Sequence, residues 1–309
     1  MIIGDTVTRE EMNKDIQEEI ENEEIKKKRK KVIKIVLKII SILLIFIVLF
    51  VLYNKYISTS IITVKEKRIT TNRIPDSFNG TKIIHFSDLQ YGSNIFIKQV
   101  NKLVKKINTR NPDIIVFTGD LIEEKYNIKS NETEKLINSL NQIKANIGKY
   151  AVSGDEDNDN FTTILTQAGF TVLDNSYDLI YNKENNPILI TGLSSNDKNR
   201  NIDKAFEYFK DSKNNQNIYS ILIMHEADDI DKVLKKYNVD LSFAGSNLNG
   251  MIYIPKIGGL LTRKNSKKYT KSYYKLNNTQ LYVSSGIGTD NIGIRLFNRP
   301  SINFIRLAK

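Results

Sequence analysis

Three short apolar runs in this chain each close on a carboxylate. Ile83, Ile84 and Phe86 lead to Asp88, Ile114 to Phe117 lead to Gly119-Asp120, and Tyr150 to Val152 lead to Gly154-Asp155. Each run reads as a buried strand giving way to a loop. One such aspartate is an ordinary turn former. Three in succession point to a built site, because ligands of open α/β sheets gather beyond the carboxyl ends of the strands. Two later runs join them: Tyr219 to Met224 ends at His225, and Leu241 to Ala244 ends at Gly245. The loop Asp155-Glu156-Asp157, with Asp159 beyond, reads either as a solvated acidic loop or as a carboxylate cation site. His225 reads as a ligand or as a structural imidazole, and His85 packs in or beside its strand.

The elements that must position these residues alternate strand and helix from Thr81 onward. Ile97 to Ile107 carries Val100, Leu103, Val104 and Ile107 at helical spacing. Further helices are expected near Glu132 to Ile143, Phe161 to Ala168, Ile202 to Phe209 and Ile230 to Tyr237. That alternation implies a sheet with parallel strands covered by helices. From Thr171 the pattern changes: Thr171 to Leu173, Leu179 to Asn182 and Ile188 to Leu193 are short strands between Asn-rich turns, which suggests antiparallel pairing. Ile61 to Ile69 reads as an edge strand. Met251 to Leu307 reads mostly as strands, among them Gln280 to Ser284 and Ser301 to Leu307.

Composition narrows the chemistry. The 309 residues include no Cys, which removes disulfide frameworks, thiolate metal sites and lipidated Cys anchors. Only 2 His are present, too few for an imidazole-rich metal site. A net charge of +11 favours anionic partners such as lipid head groups, envelope polymers or nucleic acid. Thr8 to Glu24 is acidic, with Met12, Ile16 and Ile20 on one helical face, and reads as a solvated helix or a disordered tail. The basic run Lys26 to Lys31 then enters an apolar stretch, Val32 to Tyr53, broken only by Lys34, Lys38 and Ser41. Both lysines lie near one end and can snorkel to the head groups. The stretch has the length of a membrane span, and no small-residue cleavage site follows it. It reads as an uncleaved signal anchor with the basic run on the cytoplasmic side. The expected organisation is a cytoplasmic charged tail (1–31), a transmembrane anchor (32–53), a linker with an edge strand (54–80) and an extracytoplasmic domain (81–309). Membrane lipid is then a partner through 32–53, and nucleic acid is not.

The ordered set Ser-Asp-Leu-Gln, Thr-Gly-Asp-Leu, Ser-Gly-Asp-Glu, Met-His-Glu and Ala-Gly-Ser-Asn-Leu-Asn-Gly resembles the motifs of the calcineurin-like metallophosphoesterase family, nearest its membrane-associated bacterial branch. Leu281 to Thr289 and Ile294 to Pro300 resemble that branch as well. The resemblance covers about Lys82 to Leu307 and implies an α/β/β/α four-layer sandwich of two mixed sheets, with a dinuclear metal site at the strand ends. It also implies roles for single residues. Asp88 matches the first ligand, and Gln90 stands where a His is expected. Asp120 matches the carboxylate that bridges two metals. Asp155 replaces an Asn ligand, Glu156 replaces the His that acts on the leaving group, and His225 matches a lone His ligand. Ser246 and Leu248 replace the last two His, and Ser285 stands at an expected Arg.

One ion would thus be held by Asp120, Asp155, His225 and Ser246, while the other keeps Asp88 and Asp120 but has Gln90 and Leu248 for its remaining ligands. At most one site is well kept, and its hard oxygen donors suit Mg²⁺ or Mn²⁺ better than Zn²⁺. The resemblance implies hydrolysis of a phosphoester, of a phospholipid or an anionic envelope polymer. Four replacements around one centre weaken or remove that activity, since ions and acid act as a unit. The alternative is a non-catalytic binding or regulatory module on the same fold. The loop Gly245 to Gly250 would keep the family's shape without its metal chemistry. Lys264, Lys267, Lys268 and Lys271, with Tyr269, Tyr273 and Tyr274, read as a charged face.

Overall fold

A computed structural model describes residues 9–195, 200–210, 217–246, 253–254, 258–259, 267–289 and 293–309. The chain divides into two compact units, Met1–Tyr53 and Asn54–Lys309. In the first, helix α1 (Arg9–Leu52) runs for 44 residues without a break. At 1.5 Å per residue that is about 66 Å, twice the hydrocarbon thickness of a bilayer. Its apolar half is long enough to cross a membrane and is exposed along its whole length. The acidic segment, read as a solvated helix or a disordered tail, is helical from Arg9 onward.

The second unit opens with β1 (Thr63–Thr70), then β2 (Lys82–Phe86), α2 (Ile97–Asn108), β3 (Ile114–Thr118), α3 (Ser130–Asn141), β4 (Gly148–Val152), α4 (Asn160–Gln167) and β5 (Thr171–Val172). There follow β6 (Ser176–Ile180), β7 (Ile188–Leu193), α5 (Ile202–Ala205), β8 (Ser220–Glu226), α6 (Ile230–Leu234) and β9 (Leu241–Gly245). β10 (Tyr253–Ile254) and β11 (Gly258–Gly259) pair with each other, and β12 (Tyr273–Leu276), β13 (Thr279–Val283) and β14 (Ser301–Ala308) complete the unit.

Two six-stranded sheets result, in the orders β1-β14-β2-β3-β4-β5 and β12-β13-β9-β8-β7-β6. Strand alternation splits the apolar residues into layers. Ile84, Phe86, Ile115 and Phe117 face α2, α3 and α4 through Leu103, Ile107, Leu140 and Ile164. Ile83, Ile114 and Val116 face the second sheet, meeting Ile190, Ile221, Ile223 and Phe243. On the far side Leu222, Met224 and Ala244 pack under Phe206, Ile230 and Val233. The molecule is therefore the four-layer sandwich that the motifs imply, with both sheets mixed.

Two expectations need correction. The strands after Thr171 are not a continuous antiparallel set. β5 joins β4 in parallel in the first sheet, and only β6 and β7 of that group pair antiparallel. α4 is the crossover that returns β5 alongside β4, as a βαβ unit requires. The helix read over Ile202 to Phe209 stops at Ala205 and continues as a 3₁₀ turn, Glu207–Lys210. The aromatic residues Phe206 and Phe209 are turned onto Tyr237 by that change of pitch.

Candidate metal centre at the strand ends

β2, β3, β4, β8 and β9 all end on one side of the sandwich, and the site is assembled where they stop. The backbone there is held in unusual conformations. Asp88 (φ 50°), Gln90 (φ 51°), Asp120 (φ 57°) and Ser246 (φ 61°) all lie in the left-handed region that non-glycine residues seldom adopt. Such strain persists only where the surroundings fix it. Asp88 N–H donates to Gly119 O (2.9 Å) and Gln90 N–H to Asp120 O (3.1 Å), so the first two strand ends lock together. A Cβ on Gly119 would lie 2.6 Å from Gly154 Cα and 2.8 Å from His225 Nδ1. Glycine is required there because three elements meet.

Asp88, Asp120 and His225 are fully buried, and one ligand atom of each lies within 4.8 Å of the others. The His225 ring is oriented by its Nδ1, which donates to the carbonyl of Thr118 at 2.6 Å. A carbonyl can only accept, so Nδ1 carries a proton and Nε2 is the nitrogen that faces the centre. Nε2 is 3.0 Å from Asp155 Oδ1 and 3.4 Å from Asp120 Oδ2, without hydrogen-bond alignment to either. Burial disfavours the imidazolium, but the charges of Asp120 and Asp88 and the approach of Asp155 outweigh it. The ring is held well above the usual histidine range. Two buried carboxylates beside an imidazole make a site that demands positive charge, a proton or a cation. The donor set fits a divalent ion.

Gln90 is buried beside this group. Its Nε2 donates to Asp120 Oδ2 (3.1 Å) and to Glu156 Oε2 (2.8 Å), while its Oε1 is buried without a hydrogen bond. The carboxamide thus places N–H groups where two carboxylates converge. Glu156 is tied in twice, since its own N–H donates to Asp120 Oδ1 (3.2 Å). Asp155 is 45% exposed and approaches from the rim. Ser246 is buried at the end of β9; Leu248 and the loop through Gly250 lie outside the described residues. Asp155 lies beside His225 as its place after β4 suggests, and the fold also brings Asp88 within reach of Asp120 and His225.

Two residues of the site escaped the sequence reading. Asp157 was grouped with a loop of acidic residues, yet it is a clamp. Its oxygens accept the backbone N–H of Asp120 (2.8 Å), Leu121 (2.8 Å) and Gly154 (2.7 Å). Burial, and then the charge of Asp120, push its carboxyl up to about 7, against three N–H groups that favour the ionised form. Arg295 is fully buried and donates to Ser285 O (2.6 Å) and Gly288 O (2.9 Å). Gly288 N–H in turn donates to Asp88 O (2.8 Å), so Arg295 holds the closing loop against the first strand end. A charged residue inside an apolar stretch was the available signal. His85 packs as expected, buried against Phe243 and bonded to Thr118 Oγ1 and Asn303. Of the basic face, Lys268 and Tyr269 are engaged by Asp231 of α6 at 2.6 and 2.7 Å. Lys264 lies outside the described residues.

The model of a family described as calcineurin-like phosphoesterase matches residues 81–245, just over half of the chain. The uncharacterised metallophosphoesterase YkuE of Bacillus subtilis (strain 168) is 28% identical over 261 residues, 82% of this chain and 88% of its own. YkoQ of the same organism, also an uncharacterised metallophosphoesterase, is 27% identical over 235 residues, 72% of this chain and 82% of its own. A transmembrane protein with metallophosphoesterase domain from Danio rerio is 22% identical over 257 residues, 80% of this chain and 57% of its own length.

Proposed function

This chain belongs to the calcineurin-like phosphoesterase family, and from that premise we propose that it is a membrane-anchored phosphoesterase with a one-ion site and weakened hydrolytic activity. The observation that carries the reading is the buried group of Asp88, Asp120 and His225, with ligand atoms within 4.8 Å of one another. These three residues hold the ion, and Asp155 adds an oxygen from the exposed rim. Mg²⁺ or Mn²⁺ suits two or three carboxylates and one imidazole better than Zn²⁺ does. When bound, the ion supplies Lewis-acid polarisation of a phosphoryl oxygen. The Thr118 carbonyl keeps His225 in the tautomer that offers Nε2. Gln90 fixes Asp120 and supplies N–H donors where a second ion would otherwise balance the carboxylates.

A second reading, a non-catalytic binding module, is favoured by Glu156. One of its oxygens is taken up as an acceptor for Gln90, and a carboxyl group there cannot do what an imidazole acid near neutral pH would do for a leaving group. The two readings separate in one experiment on the full chain in detergent micelles. Mn²⁺ and Mg²⁺ binding is measured by calorimetry, with phosphodiester cleavage followed on the same samples. We expect one ion per chain, binding abolished by Asp120→Asn, and slow turnover that requires the ion. Binding without turnover selects the module. No binding up to millimolar metal overturns the phosphoesterase and leaves a module that holds no ion.

A further inference from the structure

We propose that the end of the sandwich that carries the metal centre is also the end that rests on the lipid bilayer. Phe96, Phe297 and Ile61 form its apolar seat, and the substrate is accordingly a phosphoester in a lipid head group. The inference rests on the membrane-anchor part of the reading above.

The register places the chain's entry into the domain beside the site. β14 runs antiparallel to β2 with Asn303 opposite His85, so the start of β14 lies along the end of β2. β1 runs parallel to β14 with Thr63 opposite Ser301, so the start of β1 is at that same end. Thr63 fastens there, its N–H and hydroxyl donating to Pro300 O at 2.8 and 3.0 Å. Two residues on, Lys65 Nζ donates to Ser285 Oγ of the closing loop at 2.6 Å. Only ten residues, 53–62, separate the end of α1 from β1.

Hydrogen bonds and short stretches of chain then link three exposed apolar side chains to the site. Ile61, 39% exposed, precedes Thr63 by two residues. Phe297, 69% exposed, precedes Pro300 by three and follows Arg295 by two. Arg295 grips Gly288, which is bonded to Asp88. Thr289, the next residue, is held by Ser93 Oγ (3.0 Å) and Asn94 Oδ1 (3.0 Å), and Phe96, 40% exposed, lies two residues beyond. Phe96 stands on an aromatic base, with ring centroids 5.9 Å from Tyr91 and 6.1 Å from Tyr126. Phe297 is held at φ 55°, a conformation that a bulky residue seldom adopts. A strained backbone that presents a large aromatic ring to solvent has a use when that solvent is lipid. Exposed Lys55 and Arg299 add the charge that anionic head groups attract. The acidic loop after β4 lies two strands further across the sheet than β2, about 10 Å from the end of β2 and further from the starts of β14 and β1.

The chain contains no Trp, so Phe297→Trp and Phe96→Trp each create a lone fluorescent reporter. Tyr181→Trp is the control. Tyr181 is exposed and follows β6 at the opposite end of the second sheet, beside the start of β7. The full-length variants are reconstituted in vesicles of phosphatidylethanolamine and phosphatidylglycerol, with and without acyl-brominated lipid. Flotation and tryptophan quenching are then measured. We expect both seat reporters to lose at least twice as much emission to brominated lipid as the control. Protein that floats with no selective quenching overturns the seat and leaves the anchor standing. Protein that does not float overturns the anchor and the seat together. Because quenching reads lipid contact and not turnover, loss of catalysis does not bear on the result.

Discussion

Asp157 illustrates how a residue acts on chemistry without touching it. Its carboxylate gathers three backbone N–H groups and thereby fixes the turns that carry Asp120 and Asp155. Asp157→Ala leaves those donors without their acceptor. We expect a loss of roughly 2–4 kcal/mol in urea unfolding and weaker Mn²⁺ binding by calorimetry. Asp159→Ala, at an exposed position, should change neither. His85 gives a second prediction. Burial holds its imidazole down at about 3, against about 6.5 in the unfolded chain. Between those values the unfolded chain takes up a proton that the folded one refuses. The stability is therefore present above pH 6.5 and is lost as pH falls, by up to about 1.4 kcal/mol per unit. Urea midpoints measured from pH 7 to pH 4 should fall less steeply for His85→Gln than for the native chain. Parallel slopes would refute that assignment. The packing of His85 was legible from its place in an apolar run, but the clamp of Asp157 was not, because an Asp in an acidic loop looks the same whether or not its partners lie across the fold.

At the scale of elements, the site is a product of where strands stop. The turn after β3 passes through Gly119 at φ +83° and reaches both Gly154 and His225. Gly119→Ala would add backbone strain and a methyl group with no room. We expect a cost of about 2 kcal/mol or more in thermal unfolding together with lost metal affinity. A substitution at Gly80, where φ is +89° but nothing lies within 4 Å, should cost only the strain. The helices that cover the first sheet were readable from spacing, since α2 buries Val100, Leu103, Val104 and Ile107 and nothing else. The strand at β5 and the helix at α5 were readable as elements, but the parallel partner of the one and the early end of the other were not. Two or four residues carry too little periodicity to reveal their partner, and pairing is decided by the crossover.

For the whole molecule, the long helix and the domain make opposite demands on solvent. The apolar part of α1 is exposed throughout, at Leu43, Phe46 and Leu49 among others. Exposed apolar surface on that scale calls for lipid or a partner. We expect the full chain to stay with membranes through a high-salt wash and to leave only in detergent. Release by salt alone would mean that the charge of +11, and not the helix, holds it there. A reporter fused after Lys309 should read out on the extracytoplasmic side, as the basic run before the span requires. A cytoplasmic readout would reverse the orientation and with it the choice of substrate pool.

The order of elements, the apolar helix and the residues Asp88, Asp120 and His225 were all decided by the sequence itself. Their signals are local: a period, a charge boundary, a carboxylate closing an apolar run. What only the tertiary structure decided is which of these groups meet. Asp88 joins His225 across the two sheets, Gln90 reaches both Asp120 and Glu156, and Arg295 ties the last loop to the first strand end. These contacts link residues far apart in the chain, and they depend on register and on left-handed turns. Neither leaves a mark on the local pattern of polar and apolar residues, so they become visible only once the strands are paired.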